Sequence, residues 1–145
     1  MTPDVNVLVA AFRADHAHHG TAYGWLNEAR QKCAQGSETL TLLPMVATAF
    51  LRLVTNQRVF SEPDSIEDAI AFIDVLLDTP GIVLEDCGKE WPLLRDKLLT
   101  QGLHGNLVTD AWIAAAVETL CEHLVTFDTD FTRLLPARDF TLLTP

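Results

Sequence analysis

The chain has 145 residues, of which 48% are hydrophobic and 21% charged, so it has the composition of a globular domain with a sizeable core and not of a disordered protein. Its net charge of −10 argues against broad, sequence-independent binding of nucleic acid and in favour of a cation or a basic partner. Apolar runs are too short to span a membrane and the first residues lack a signal-peptide pattern, which predicts a cytoplasmic protein.

The amino-terminal segment is apolar apart from two polar side chains, Asp4 and Asn6. The pattern alone fits either a buried strand or a short helix. Asn6 is a good N-cap, which favours a short strand over residues 1–5 and a helix from Val7. Asp4 would then stand near the end of a strand.

Residues 13–20 are polar and include three histidines, His16, His18 and His19. They could suggest a transition-metal site, but no cysteine or glutamate stands at a helical ligand spacing. A solvent-facing helix start is therefore favoured, with the helix continuing over residues 21–35.

The middle of the chain alternates strands with helices that are bounded by a cap, a proline or a glycine. The helix after Ser65 has a wide apolar surface, which fits a core helix better than a subunit contact. Arg52 and Arg58 are candidates for contact with phosphate, and solvated or structural roles fit them equally well. The predicted elements are a strand over 39–43, a helix over 44–56, a helix from Ser65 to the Pro80-Gly81 pair, a strand over 82–84 and a helix over 89–100.

The stretch from Gly105 to Phe131 contains the main predicted site. Residues 110–122 are mostly apolar or good helix formers, which predicts a largely buried helix. The apolar run 124–127 predicts a buried strand that stops where an Asp-x-Asp begins. In a parallel sheet the start of a helix and the end of the next strand lie at the same edge, so Asp110 and Asp128 should meet.

Strands thus alternate with helices along the whole chain, which predicts a three-layer α/β domain with a central, mainly parallel sheet. Residues 140–143 add a last short strand at a sheet edge. Cys33, Cys87 and Cys121 lack the paired spacings of a zinc site. We expect three free thiols, with Cys121 buried in its helix.

Carboxylates gathered at one edge of a sheet repel one another, and a shared cation relieves the repulsion. All-oxygen sites suit hard cations such as Mg²⁺ and Mn²⁺. The alternative is that Asp110 only caps a helix and that Asp128 and Asp130 only form a turn. Convergence of Asp4, Asp110 and Asp128 on one edge favours the metal site.

Four short motifs follow one another in a fixed order. They are Asp4-x-Asn6, Phe50 to Asn56, Asn106-x-x-x-Asp110-Ala111 and Thr126-x-Asp128-x-Asp130-Phe131. Together they resemble the PIN-domain ribonucleases, and within that family the VapC toxins of type II toxin–antitoxin systems. The resemblance covers essentially the whole chain and implies a single PIN domain over residues 1–145.

The resemblance also implies an activity: a Mg²⁺- or Mn²⁺-dependent endoribonuclease that hydrolyses RNA phosphodiester bonds, forms a homodimer and is silenced by a VapB antitoxin. The residues that match the family's site are the catalytic and metal-binding acids Asp4, Asp110 and Asp128, the outer metal ligand Asp130, and the supporting residues Asn6 and Thr126. Asn106 is a further supporting candidate.

One position departs from the family pattern. Most members carry a glutamate on the helix after the second strand, and alignment on residues 50–52 puts Ala47 there. The departure implies weaker metal binding or activity, replacement of the missing ligand by Asn106, Asp130 or a water, or a PIN fold that only binds RNA or its antitoxin. A third hypothesis, phosphoryl transfer with Asp4 as nucleophile, needs a lysine beside the site, and the pattern places Lys32, Lys89 and Lys97 elsewhere.

Overall fold

The structure is a computed structural model that describes residues 1–144. The strands are β1 Thr2–Pro3, β2 Leu40–Leu42, β3 Ile82–Leu84, β4 Leu124–Thr126 and β5 Phe140–Leu142. The helices are α1 Val5–Phe12, α2 His19–Ala34, α3 Pro44–Val54, α4 Ile66–Leu77, α5 Trp91–Gln101 and α6 Leu107–Leu120. Two short 3-10 helices cover Thr129–Arg133 and Ala137–Asp139. Within residues 1–144 no helix has the length and apolar character needed to cross a bilayer.

The strands form a parallel sheet in two ladders. β4 pairs with β1 on one side and β5 on the other, and β2 pairs with β3. The ladders are joined where the Thr41 N–H donates to the Met1 carbonyl at 2.8 Å, which gives the order β3-β2-β1-β4-β5. The predicted three-layer α/β fold with a mainly parallel sheet is confirmed, and β5 lies at an edge as expected.

The core is built around two helices that are apolar on most of their surface. α1 buries every residue from Val7 to Ala11, and α6 buries every residue from Ile113 to Val117. A helix that is apolar all round must be covered on all sides, so these two pack inside the other helices and the sheet. The rings of Phe12, Phe50 and Phe72 lie 5.2 to 5.4 Å apart and bind α1, α3 and α4 together.

The ends of α1 and α6 differ from the prediction. Asp4, and not Asn6, caps α1, because its carboxylate accepts the Val5 N–H, and the helix begins two residues earlier than expected. Cys121 is a free thiol, like Cys33 and Cys87, but it is exposed and not buried in the helix. The reason is that α6 ends at Leu120, and Cys121 turns out of it with a left-handed φ of 53°.

The predicted helix start is observed, because α2 begins at His19, but the three histidines are half-buried and not fully solvent-facing. His18 stacks on Phe127 with ring centroids 4.8 Å apart. The Nδ1 of His19 lies 2.9 Å from the Ala10 carbonyl oxygen. The cluster therefore packs against α1 and against the segment after β4.

Candidate active site

Asp4 lies where β1 passes into α1, and it is buried although it carries a carboxylate, with 5% of its surface exposed. One oxygen accepts the Val5 N–H at 2.6 Å. The other accepts the Asn6 amide at 2.7 Å and the Thr126 hydroxyl at 2.6 Å. Burial raises the pKa of Asp4 to about 6; these hydrogen bonds oppose the rise, and the charges of Asp110 and Asp128 add to it.

Thr126 and Asn6 connect this carboxylate to the end of β4. The Thr126 hydroxyl, which donates to Asp4, accepts the Asp128 N–H at 2.9 Å. The Asn6 carbonyl oxygen accepts the Phe127 N–H at 3.1 Å. The start of α1 and the end of β4 are thereby held in one register, and both predicted supporting residues stand beside Asp4.

Two further acids come from the start of α6 and from the segment after β4. Asp110 lies on the first turn of α6 and is half-buried. Burial raises its pKa, and the negative charges of Asp128 and Asp130 raise it further. Asp128 directly follows β4, and its carboxylate accepts the Asp130 N–H at 2.8 Å. The predicted meeting of Asp110 with Asp128 is thus observed.

An open cavity of about 380 Å³ collects these acids. Its polar lining consists of Asp4, Asn6, His16, Arg52, Asn106, Thr109, Asp110 and Asp128. Thr126 lies behind Asp4 and is fully buried, whereas Asp130 is exposed and outside the lining. Arg58 is exposed and does not line the cavity. Of the two arginines, only Arg52 stands beside the acids.

Sequence analysis missed several lining residues, among them His16, Thr109 and Phe60. Thr109 directly precedes Asp110, so its position could have been found from the helix alone. His16 and Phe60 come from connecting segments, and no local pattern marks either of them as facing the acids.

The α3 residue that faces the cavity is not the one predicted. Ala49, Arg52 and Leu53 line it, while Ala47 is buried and does not. Two steps along a helix turn a side chain by about 200°, onto the opposite face. Of the two alanines, Ala49 is therefore the one on the face of α3 that meets the acids.

The donor set suits a hard divalent cation, because Asp4, Asp110 and Asp128 offer only oxygen ligands. Within residues 1–144 no three histidine, cysteine or acidic side chains stand close enough to hold a metal ion as they are oriented. Without a cation the carboxylates repel one another. A metal site formed by these acids therefore stays a prediction.

Comparison with known proteins decides the family. A family model described as PIN domain matches residues 1–134. This chain belongs to the PIN-domain family. That a single PIN domain extends over all of residues 1–145 stays a prediction.

Similar PIN-domain proteins carry ribonuclease names. The chain is 35% identical over 137 residues to ribonuclease VapC25 of Mycobacterium tuberculosis, with 93% of each protein covered. It is 39% identical over 113 residues to VapC ribonuclease Mb2897 of Mycobacterium bovis, covering 77% of this chain and 74% of that protein. VapC nucleases with a PIN domain generally depend on a divalent metal ion. The resemblance to PIN-domain ribonucleases of the VapC type is confirmed.

Solved structures confirm the fold. The crystal structure of M. tuberculosis VapC20, a sarcin-ricin loop cleaving toxin, has a TM-score of 0.66 at 19% identity and covers 99% of this chain and 98% of that one. VapBC2 from Rickettsia felis, bound to a DNA fragment from its promoter, has a TM-score of 0.65 at 18% identity, with the same coverage.

We predict that Asp4 makes the domain less stable as the pH rises. Its folded pKa of about 6 lies above the ordinary 3.8, so the folded state binds this proton more tightly than the unfolded state. The resulting stabilisation, about 3 kcal/mol, is complete below about pH 4 and is lost as the pH rises through about 6. In metal-free urea titrations, wild type should lose stability relative to Asp4→Asn across this window; parallel curves would contradict the assignment.

We also predict that Ala49→Glu strengthens binding of Mn²⁺, because it adds an oxygen ligand to the acidic cavity. Calorimetric titration with MnCl₂ should give an affinity at least about tenfold above that of wild type. Ala47→Glu is the matched control, since its carboxylate would be buried away from the cavity and should only destabilise the fold. Equal affinities for wild type and Ala49→Glu would show that this face of α3 does not reach the ion.

Proposed function

We propose that this chain is the toxin of a VapBC-type toxin–antitoxin system and acts as an endoribonuclease on RNA phosphodiester bonds, with Mg²⁺ or Mn²⁺ as cofactor. The observation that carries the proposal is that Asp4, Asp110 and Asp128 line one cavity. Ribonuclease VapC25, which is similar over 93% of the chain, supports the reaction class.

In this proposal the carboxylates of Asp4, Asp110 and Asp128 hold the cation, and Asp130 lies at its outer side. A divalent cation in such a site polarises a phosphodiester oxygen and offsets the charge that develops on the leaving oxygen. The cation would also screen the phosphate from the negative charge of the acids. Without such screening an acidic protein repels RNA.

The other residues of the cavity orient the reactants. Thr126 and Asn6 fix the Asp4 carboxylate by hydrogen bonds, so one ligand is preorganised before the ion binds. Arg52 lines the cavity and is exposed, so its guanidinium can bind a phosphate oxygen at the entrance. Asn106, at the start of α6, lines the cavity next to Asp110 and is proposed as a further supporting residue.

A second candidate function is RNA or antitoxin binding without cleavage. The observation that favours it is that α3 carries no acidic residue, so the cavity has one carboxylate fewer than the family pattern. Phosphoryl transfer through Asp4 is disfavoured, because none of the three lysines lines the cavity. A phosphoaspartate detected as a mass increase of the intact protein would restore that hypothesis.

The deciding experiment is RNA cleavage by the purified protein in the presence of MnCl₂. We expect Asp110→Asn to reduce the rate by at least about 100-fold, because it removes a charged ligand while leaving the fold intact. Asp96→Asn, an exposed aspartate on α5 with a side chain 70% exposed, should behave like wild type. RNA binding without cleavage in wild type would favour the second candidate.

We further propose that the protein is cytoplasmic, forms a homodimer and binds a VapB-type antitoxin. Two separate, exposed apolar surfaces support the proposal that the chain has two protein partners. One lies on α4, where Ile70 and Val75 are 44% and 51% exposed. The other lies on α5, where Trp91 and Leu99 are 60% and 67% exposed. A basic antitoxin segment would also complement the net charge of −10.

We predict that light scattering of the purified toxin gives the mass of a dimer. Ile70→Asp and Leu99→Asp each place a charge on one of the two surfaces, and the variant that becomes monomeric identifies the dimer contact. A wild-type protein that is monomeric at tens of micromolar would contradict the homodimer.

A further inference from the structure

His16 stands in the turn between α1 and α2 and lines the same cavity as the acids. Its ring accepts one hydrogen bond, from the His18 backbone N–H to Nδ1 at 3.1 Å. A backbone N–H can only donate, so Nδ1 carries the lone pair and the neutral ring holds its proton on Nε2. Burial lowers the pKa of His16.

The turn that carries His16 is fixed by its neighbours on one side. The Arg13 side chain, which is 8% exposed, donates two hydrogen bonds to Asp15, at 3.0 and 2.8 Å. It also donates to Asp64 at 2.6 Å and lies over the Phe60 ring at 4.0 Å. The His16 N–H in turn donates to the Arg13 carbonyl at 3.1 Å.

On the other side the turn is fixed to the end of β4. The His18 ring lies against His16, with centroids 5.5 Å apart, and stacks on Phe127 at 4.8 Å. Phe127 stands between Thr126 and Asp128 in the chain. The position of the His16 ring is therefore set relative to the acids themselves, as a group that acts on a ligand between them requires.

A phosphodiester bound in this cavity would need a hydrogen-bond donor in a fixed position. A bound phosphodiester brings anionic oxygens that need hydrogen-bond donors, while the acids offer only acceptors. The Asn6 amide already donates to Asp4 and to Thr126. The other donors that line the cavity, Arg52, Asn106 and Thr109, are exposed side chains. His16 is half-buried in a turn that is held on both sides, so its place is fixed before the substrate arrives.

We propose that His16 is a catalytic residue that contacts the RNA: its Nε2–H donates a hydrogen bond to a non-bridging phosphate oxygen in the acidic cavity. The inference rests on the proposed ribonuclease function and deepens it, because it assigns a substrate contact outside the acidic motifs. The competing explanation is that His16 only shapes the turn through Nδ1.

His16→Asn separates these two roles. The asparagine oxygen can accept the His18 N–H in an Asx-turn, but the shorter side chain has no donor in the place of Nε2. His104→Asn is the matched control, since His104 is exposed, lies in another turn and does not line the cavity. Both variants should melt within about 3 °C of wild type.

The measurement is single-turnover cleavage of a pool of RNA hairpins with MnCl₂. We expect His16→Asn to lower kcat/KM by about 10- to 100-fold, the effect of losing a hydrogen bond to a charged group. Its affinity for Mn²⁺, measured by calorimetry, should equal that of wild type, and His104→Asn should match wild type in both assays.

The outcomes separate this inference from the proposed function. Wild-type kinetics for His16→Asn, together with loss of cleavage in Asp110→Asn, would overturn the role of His16 and leave the ribonuclease standing. A weakened affinity of His16→Asn for Mn²⁺ would also overturn it, since His16 would then act through the ion. Wild type that binds the hairpins without cutting them would overturn the ribonuclease and the catalytic role of His16. Wild type that neither cuts nor binds them would overturn both proposals as well.

Discussion

The site depends on a charged group that is kept out of water. Burial of the Asp4 carboxylate costs free energy, and the structure offsets that cost with donors from three directions: the Val5 N–H, the Asn6 amide and the Thr126 hydroxyl. Thr126 is the last residue of β4, and Asp4 stands between β1 and α1. The same hydrogen bonds therefore hold the ends of β1 and β4 side by side. The interaction that places the first acid thus also places the residues that follow β4.

The direction of the strands in the parallel sheet places the other acids. Each strand delivers its carboxyl end to the same edge, so acids that are distant in the chain meet without any specific contact between them. The consequence is electrostatic: burial and, to a smaller extent, the charges of the neighbouring acids raise the pKa of Asp4 and of Asp110. Carboxylates with a raised pKa are common in sites that bind cations or catalyse reactions.

Much of this arrangement could be predicted from the sequence. The directions of a strand and its following helix sufficed to bring Asp110 and Asp128 together, since that argument needs only element order. The orientation of α3 could not be predicted as well. The family pattern pointed to Ala47, whereas Ala49 lines the cavity, because which face of a helix meets the cavity is set by tertiary packing. His16 was missed because its ring is positioned through His18, which stacks on Phe127. Phe127 comes from the far end of the chain, so no local pattern shows the contact. Cys121 was misplaced because α6 ends at Leu120, two residues before the predicted end.

The small side chain at Ala49 alters the charge balance of the cavity. A dication shared by three carboxylates leaves a residual charge of one, where a fourth acid would leave two. A bound ion would then be held less firmly, but an incoming polyanion would meet a weaker opposing field. In the proposed ribonuclease, alanine at this position on α3 would therefore favour admission of the substrate over retention of the ion.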